Sequence, residues 1–154
     1  MSRKAEIEAF VAAARDALPA AQIDSFEVRT FGNSPALAET LIQLIASGEK
    51  TGTFALECEA SADPSGPPRV GQYVIVTTFD GIPTLLYKVT HVEIVAFGDI
   101  SVRHIAVEGA RLRELAAWRE VHRAYWTPIL QKRGESLTAA TRVYFQRFTA
   151  LFSQ

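Results

Sequence analysis

The densest group of chemically useful side chains is the run Ser47-Gly48-Glu49-Lys50-Thr51-Gly52-Thr53. It places an ammonium (Lys50) and two hydroxyls (Thr51, Thr53) on a glycine-bracketed turn. Such groups beside exposed backbone amides can hold an anion or serve acid–base chemistry. The same pattern also ends ordinary helices, where the lysine is a solvated charge. It is not a Walker loop, because Gly-x-x-x-x-Gly-Lys-[Ser/Thr] is absent. No glycine-rich dinucleotide loop follows a strand, no His/Cys spacing suits a structural metal, and no Gly-x-Ser-x-Gly elbow occurs. The single cysteine, Cys58, lies in a strand-like run and reads as an inert small side chain rather than a nucleophile.

The turn needs elements to hold it. Upstream, Ser34-Pro35 is a helix start, with the hydroxyl at the N-cap and proline at the first helical position. Leu37, Leu41, Leu44 and Ile45 then share one helical face, and Gly48 supplies a left-handed stop. Downstream, residues 53–59 read as a strand. Before this core unit, residues 3–18 read as a helix closed by Pro19, and residues 26–32 alternate as a half-buried strand. Residues 60–68, rich in Pro, Ser and Gly, read as a loop. Strand patterns over 73–79 and 82–95 flank Asp80-Gly81, a hairpin signal. Asp99 is expected to cap a short helix through His104, and residues 104–109 form a connector. A helical stripe from Arg111 onward carries Leu112, Leu115, Trp118, His122, Tyr125 and Trp126. Thr127-Pro128 should kink it or start a new helix, and Gly134 should end it. Residues 141–152 read as a closing strand. The order predicts an α+β fold with a small mixed barrel rather than a parallel doubly wound sheet.

The chain has 154 residues, 48% hydrophobic and 21% charged, as expected of one compact domain. It contains no apolar run of about 18 residues, so no membrane span is expected. The lone cysteine excludes an internal disulfide and fits a reducing, cytoplasmic setting. Charge is unevenly spread. Residues 1–110 carry 8 Lys+Arg and 14 Asp+Glu, whereas residues 111–154 carry 8 and 3. A basic final third on an acidic body can present phosphates with a local attraction, or it can simply be a solvated face.

Five stretches in order resemble the ASCH domain family, whose fold is similar to the PUA barrel. They are Phe31-Gly-Asn-Ser-Pro-Ala-Leu-Ala-Glu-Thr-Leu, the Ser47–Thr53 turn, Val70-Gly-Gln-Tyr, Val89-Thr-His-Val-Glu-Ile-Val-Ala-Phe and Trp118-Arg-Glu-Val-His-Arg-Ala-Tyr-Trp. The match runs from about residue 26 to 152. It implies a single PUA-like domain over 1–154, with residues 1–22 as an additional N-terminal helix. The resemblance further implies a pocket for RNA or a modified nucleoside, with no cofactor and no metal. Some members look like single-stranded-RNA ribonucleases. Smaller ones resemble amidohydrolases that deacylate N4-acylated cytidine through a Lys–Thr–Glu constellation. Carried over by motif, that constellation falls on Lys50, Thr53 and Glu108. Many members place an arginine or glutamate just after the turn, where this chain has Phe54 and Ala55, so its substrate anchoring differs.

As an amidohydrolase, the chain would use Thr53 as nucleophile, Lys50 as its base and Glu108 to protonate the leaving nitrogen. The structural alternative is a Lys–Glu pair bracing the turn. As a metal-independent ribonuclease it would use Lys50 against the developing phosphorane charge. Thr51, Arg111 and His122 would then line the substrate, His122 and His104 are proton carriers by type, and Tyr73, Tyr87, Trp126 or Tyr144 would stack an unpaired base. Each of these also has a plain reading, as core aromatics, a half-buried histidine and a solvated arginine. Ribonuclease action on single-stranded RNA ranks first, amidohydrolase action second, and non-catalytic sensing of RNA or a nucleoside third.

Overall fold

The computed structural model describes residues 1–154. Helix α1 spans Arg3–Ala17, with the Ser2 side chain accepting from the Ala5 N–H and the Leu18 N–H closing on Ala14. Strand β1 (Glu27–Thr30) follows, then helix α2 (Pro35–Ala46). Ser34 caps α2 through the Leu37 N–H at 3.2 Å, as the Ser-Pro start predicts. Strand β2 is Gly52–Leu56 and helix α3 is Glu57–Ala62. Strands β3 (Tyr73–Thr77) and β4 (Pro83–Ala96) form the hairpin, turning through Gly81 at φ +87°. The one-turn helix α4 (Val102–Ile105), the long helix α5 (Leu115–Lys132) and strand β5 (Arg142–Ser153) complete the chain.

The strands form a mixed half-barrel sheet in the order β1-β3-β4-β5-β2. β1 runs parallel to β3 with Val28 opposite Ile75. β3 and β4 are antiparallel with Ile75 opposite Leu86, and β2 and β5 are antiparallel with Phe54 opposite Phe145. The fold is therefore α+β, as expected from the element order.

The residues cluster into two compact units. The first comprises 1–51, 69–91 and 148–154, and the second 52–68 and 92–147. The first buries the apolar face of α1, Phe10, Val11 and Ala14, with Ile75 and Leu86 of the hairpin. Each of the larger side chains among them, Phe10, Val11, Ile75 and Leu86, contributes about 1.5–3 kcal/mol of burial. The second is built on Trp118, Trp126 and Leu130 of α5, packed with Leu56, Phe97, Ile100 and Val143.

Three local expectations are corrected. The strand expected over 53–59 stops at Leu56, and Glu57–Ala62 is helical. Alternation over a few residues does not separate a strand from a short helix, and the Glu- and Ala-rich run favours the latter. The short helix before 105 is capped by Ser101, not Asp99. The Ser101 hydroxyl and the His104 ring form a reciprocal capping box. Finally, Thr127-Pro128 does not start a new helix: α5 runs on through Pro128, with the Trp118–Trp126–Leu130 face anchoring it on both sides of the proline.

Candidate functional site

The Lys50 turn is made by backbone bonds that reverse the chain at the end of α2. The Ser47 N–H donates to Gln43 O and the Gly48 N–H to Ile45 O. The Lys50 N–H returns to Leu44 O at 2.9 Å. Gly48 adopts φ +81°, the left-handed geometry glycine accepts without steric penalty. The reversal turns Lys50 inward, leaving it only 4% exposed. Thr51 stays exposed, and its carbonyl accepts the Phe148 N–H at 2.9 Å.

In the second unit, β2 starts at Gly52 because no side chain fits there. A Cβ would collide with the Gln146 carbonyl oxygen and come within 2.9 Å of Val107 Cβ. The next pair in the β2–β5 ladder is Thr53 opposite Gln146. Directly opposed residues share a face, with Cβ atoms about 4.5–5.5 Å apart. Phe54 and Phe145 turn to the other face and pack at 5.2 Å between centroids. Glu108 follows Val107, the residue that packs on Gly52. It too is 4% exposed, with its N–H donating to Ile105 O and its carbonyl accepting from Arg113 Nε at 2.6 Å.

Gln146 is the residue that sequence reasoning missed. It is 8% exposed, and its Oε1 is buried without a hydrogen-bond partner. An unsatisfied buried acceptor costs about 1–3 kcal/mol, so it calls for an explanation. The available signal was a lone amide within the apolar alternation of β5.

The other expected substrate residues are placed as follows. Tyr87 is 2% exposed and stacks on Phe148 at 4.1 Å. Burial pushes its phenol well above the usual range, with Arg29 pulling weakly back. Tyr73 is buried against the α1 face with the Lys88 ammonium 5.5 Å from its ring centroid. It lines an open groove of about 790 Å³ with Leu18, Pro19, Lys88 and Leu151. Trp126 is 2% exposed, edge-on to Trp118. His122 stacks on Trp118 at 4.0 Å, and its Nδ1 lies 2.8 Å from Trp118 O. Trp126 and Tyr87 are thus packed as core rings with no open face. Arg111 is exposed. A second groove, about 450 Å³, is lined by Glu57, Cys58, Leu130 and Arg142. Neither groove includes Lys50, Thr53 or Glu108.

His104 is buried as well, 3% exposed. Its Nδ1 accepts the Ser101 N–H at 2.9 Å, which fixes the proton on Nε2. Burial holds its pKa below the usual value. Arg103 and Arg147 push the same way, and Glu93 opposes them. The balance favours the neutral imidazole. No group of three or more His, Cys, Asp or Glu side chains is arranged to hold a metal. No helix is long and apolar enough to cross a membrane.

A family model described as the ASCH domain matches residues 27–151. The chain is similar to the crystal structure of an ASCH domain from Lactobacillus crispatus JV V101. The TM-score is 0.78 at 24% identity, covering 89% of this chain and 90% of that one. It is also similar to protein EF3133 from Enterococcus faecalis V583. There the TM-score is 0.82 at 23% identity, covering 96% and 88%. At these identities the likeness is one of fold. None of the curated proteins matches the chain.

Proposed function

Because the chain belongs to the ASCH domain family, we propose that it binds single-stranded RNA and cleaves it without a metal ion, using Lys50, Thr53 and Glu108. The observation that carries this reading is the burial of Lys50 and Glu108, each 4% exposed. Buried ionisable groups are costly to keep and cluster at functional sites. A buried polar set suits a single nucleotide unit taken out of a flexible strand, because a base held in a duplex has no edge to offer.

In this reading Glu108 takes the proton of the 2′-hydroxyl as its oxygen attacks phosphorus. The bond from phosphorus to the 5′-oxygen breaks, and the same proton passes to that leaving oxygen. Lys50 balances the charge on the phosphorane, and the Thr53 hydroxyl donates to a non-bridging oxygen. The products are a 2′,3′-cyclic phosphate and a free 5′-hydroxyl.

One observation favours amide hydrolysis instead. Lys50 and Glu108 are each 4% exposed, and so little solvent at either group suits a neutral acyl group better than a polyanion. Thr53 Oγ1 would then attack the acyl carbon of an N4-acylated cytidine, Lys50 would accept its proton, and Glu108 would protonate the leaving amine. A paired assay in EDTA separates the readings, with labelled single-stranded RNA in one arm and N4-acetylcytidine in the other, and Lys50→Ala as control. RNA cleavage lost in Lys50→Ala supports the ribonuclease. Turnover of the nucleoside with intact RNA reverses the ranking. Full activity of Lys50→Ala in either arm removes Lys50 from the site.

A further inference from the structure

We propose that Gln146 reads the base, its buried carbonyl oxygen accepting a hydrogen bond from the exocyclic amine of cytosine or adenine. The inference rests on the reading that single-stranded RNA is bound and cleaved at Lys50, Thr53 and Glu108.

The register of β2 and β5 sets Gln146 directly opposite Thr53. Thr53 is half-buried and Gln146 buried. The flanking residues of β5 are committed to the opposite face. Phe145 packs on Phe54, and the Arg147 guanidinium lies 5.5 Å from the Phe145 ring centroid. Neither offers Gln146 a donor, and its Oε1 receives no hydrogen bond. An aliphatic side chain at this position would close the face without burying an unpaired acceptor. A glutamine there is accounted for by a donor that arrives with the ligand.

The chemistry of that donor is narrow. The exocyclic groups protrude furthest from the pairing edge of a base. In cytosine and adenine the group is an amine, which donates. In uracil it is a carbonyl, which would face Oε1 lone pair to lone pair, whereas guanine has a carbonyl in the position of the adenine amine and carries its own amine at the opposite end of the edge. Glutamine and asparagine amides recognise adenine through this same donor–acceptor match. The site therefore prefers amino-bearing bases and rejects uracil, since a site built to bond a donor discriminates strongly against a partner that lacks it.

The test measures binding of labelled 2′-fluoro oligomers of A, C and U by fluorescence anisotropy. These lack the attacking hydroxyl and survive the measurement. Wild type, Gln146→Met and Gln146→Leu are compared, each checked by thermal melting. Wild type is expected to bind A and C about tenfold or more tightly than U. Either folded variant should weaken A and C to the level of U while leaving U unchanged. Equal binding of all three oligomers by wild type overturns the inference and leaves the RNA reading standing. A preference for A and C that survives in a folded variant also overturns it. Binding of none by wild type overturns both.

Discussion

At Gly52 the constraint is space rather than backbone conformation. Its φ is not among the positive values of the chain, yet a Cβ would strike the Gln146 carbonyl and Val107. The atom in the way is main chain, which cannot swing aside as a side-chain tip does. Gly52→Ala therefore has to push β2 off β5 at the pair next to Thr53 and Gln146. The expected cost is about 1–3 kcal/mol, the usual range for overpacking, read as a lower urea midpoint. Activity should fall further than the lost stability explains, because the displaced strand carries Thr53. An unchanged midpoint would show that the two strands separate there without resistance.

Among the elements, α4 depends on one ring. The Ser101 N–H donates to His104 Nδ1, so a proton on that nitrogen would break the cap. The folded protein holds the His104 pKa below its ordinary value, chiefly by burial. As pH falls through about 6.5, the unfolded chain takes up the proton first. The stability contributed by neutral His104 is thus complete above that pH and is lost on further acidification towards the depressed folded value. Denaturation midpoints at neutral and mildly acidic pH should show a larger loss in wild type than in His104→Asn, which keeps an acceptor but does not titrate. Equal losses would clear the imidazole of any part. Helix α5 offers a test of opposite sign. Pro128 is exposed within it and removes one backbone bond. Pro128→Ala should therefore raise stability by about 1–3 kcal/mol, and an unchanged or lower midpoint would mean the ring packs usefully. These elements also mark what the sequence made legible. Ser34-Pro35, Gly48 and Asp80-Gly81 act through local chemistry, and each of them sits where that chemistry predicts. The Lys50 turn was legible for the same reason. The passage of α5 through Pro128 is decided by packing that lies elsewhere in the chain, whereas the start of α3 and the Ser101 cap turn on local competitions, a helical run against an alternating one and Ser101 with His104 against Asp99. Gln146 was illegible because its meaning depends on a register with Thr53, far away in sequence.

For the molecule as a whole, the deciding quantity is how many cations remain free for phosphate. The final third carries 8 Lys+Arg, which on composition suggests a track along α5. Most are already engaged. Arg113 bonds Glu108 O and Arg119 bonds Ile100 O. Arg123 lies over Phe97 and Arg147 over Phe145. Arg142 pairs with Glu57 at 2.8 Å and Arg133 with Glu135 at 3.6 Å. Arg111 and Lys132 remain exposed without such partners. Single-strand binding loses affinity with salt at a log–log slope of about −0.7 per phosphate contact. With Lys50 of the proposed site, three contacts then give a slope near −2.1, roughly an eighteenfold loss of affinity between 50 and 200 mM salt. An extended arginine track using all the basic residues would instead lose about a thousandfold or more over the same range. A salt titration of RNA binding decides between them. A shallow slope means the base, not the backbone, supplies most of the affinity, as a buried reader such as Gln146 requires. A steep slope would return the binding surface to α5, with its arginines released from their protein partners when RNA arrives.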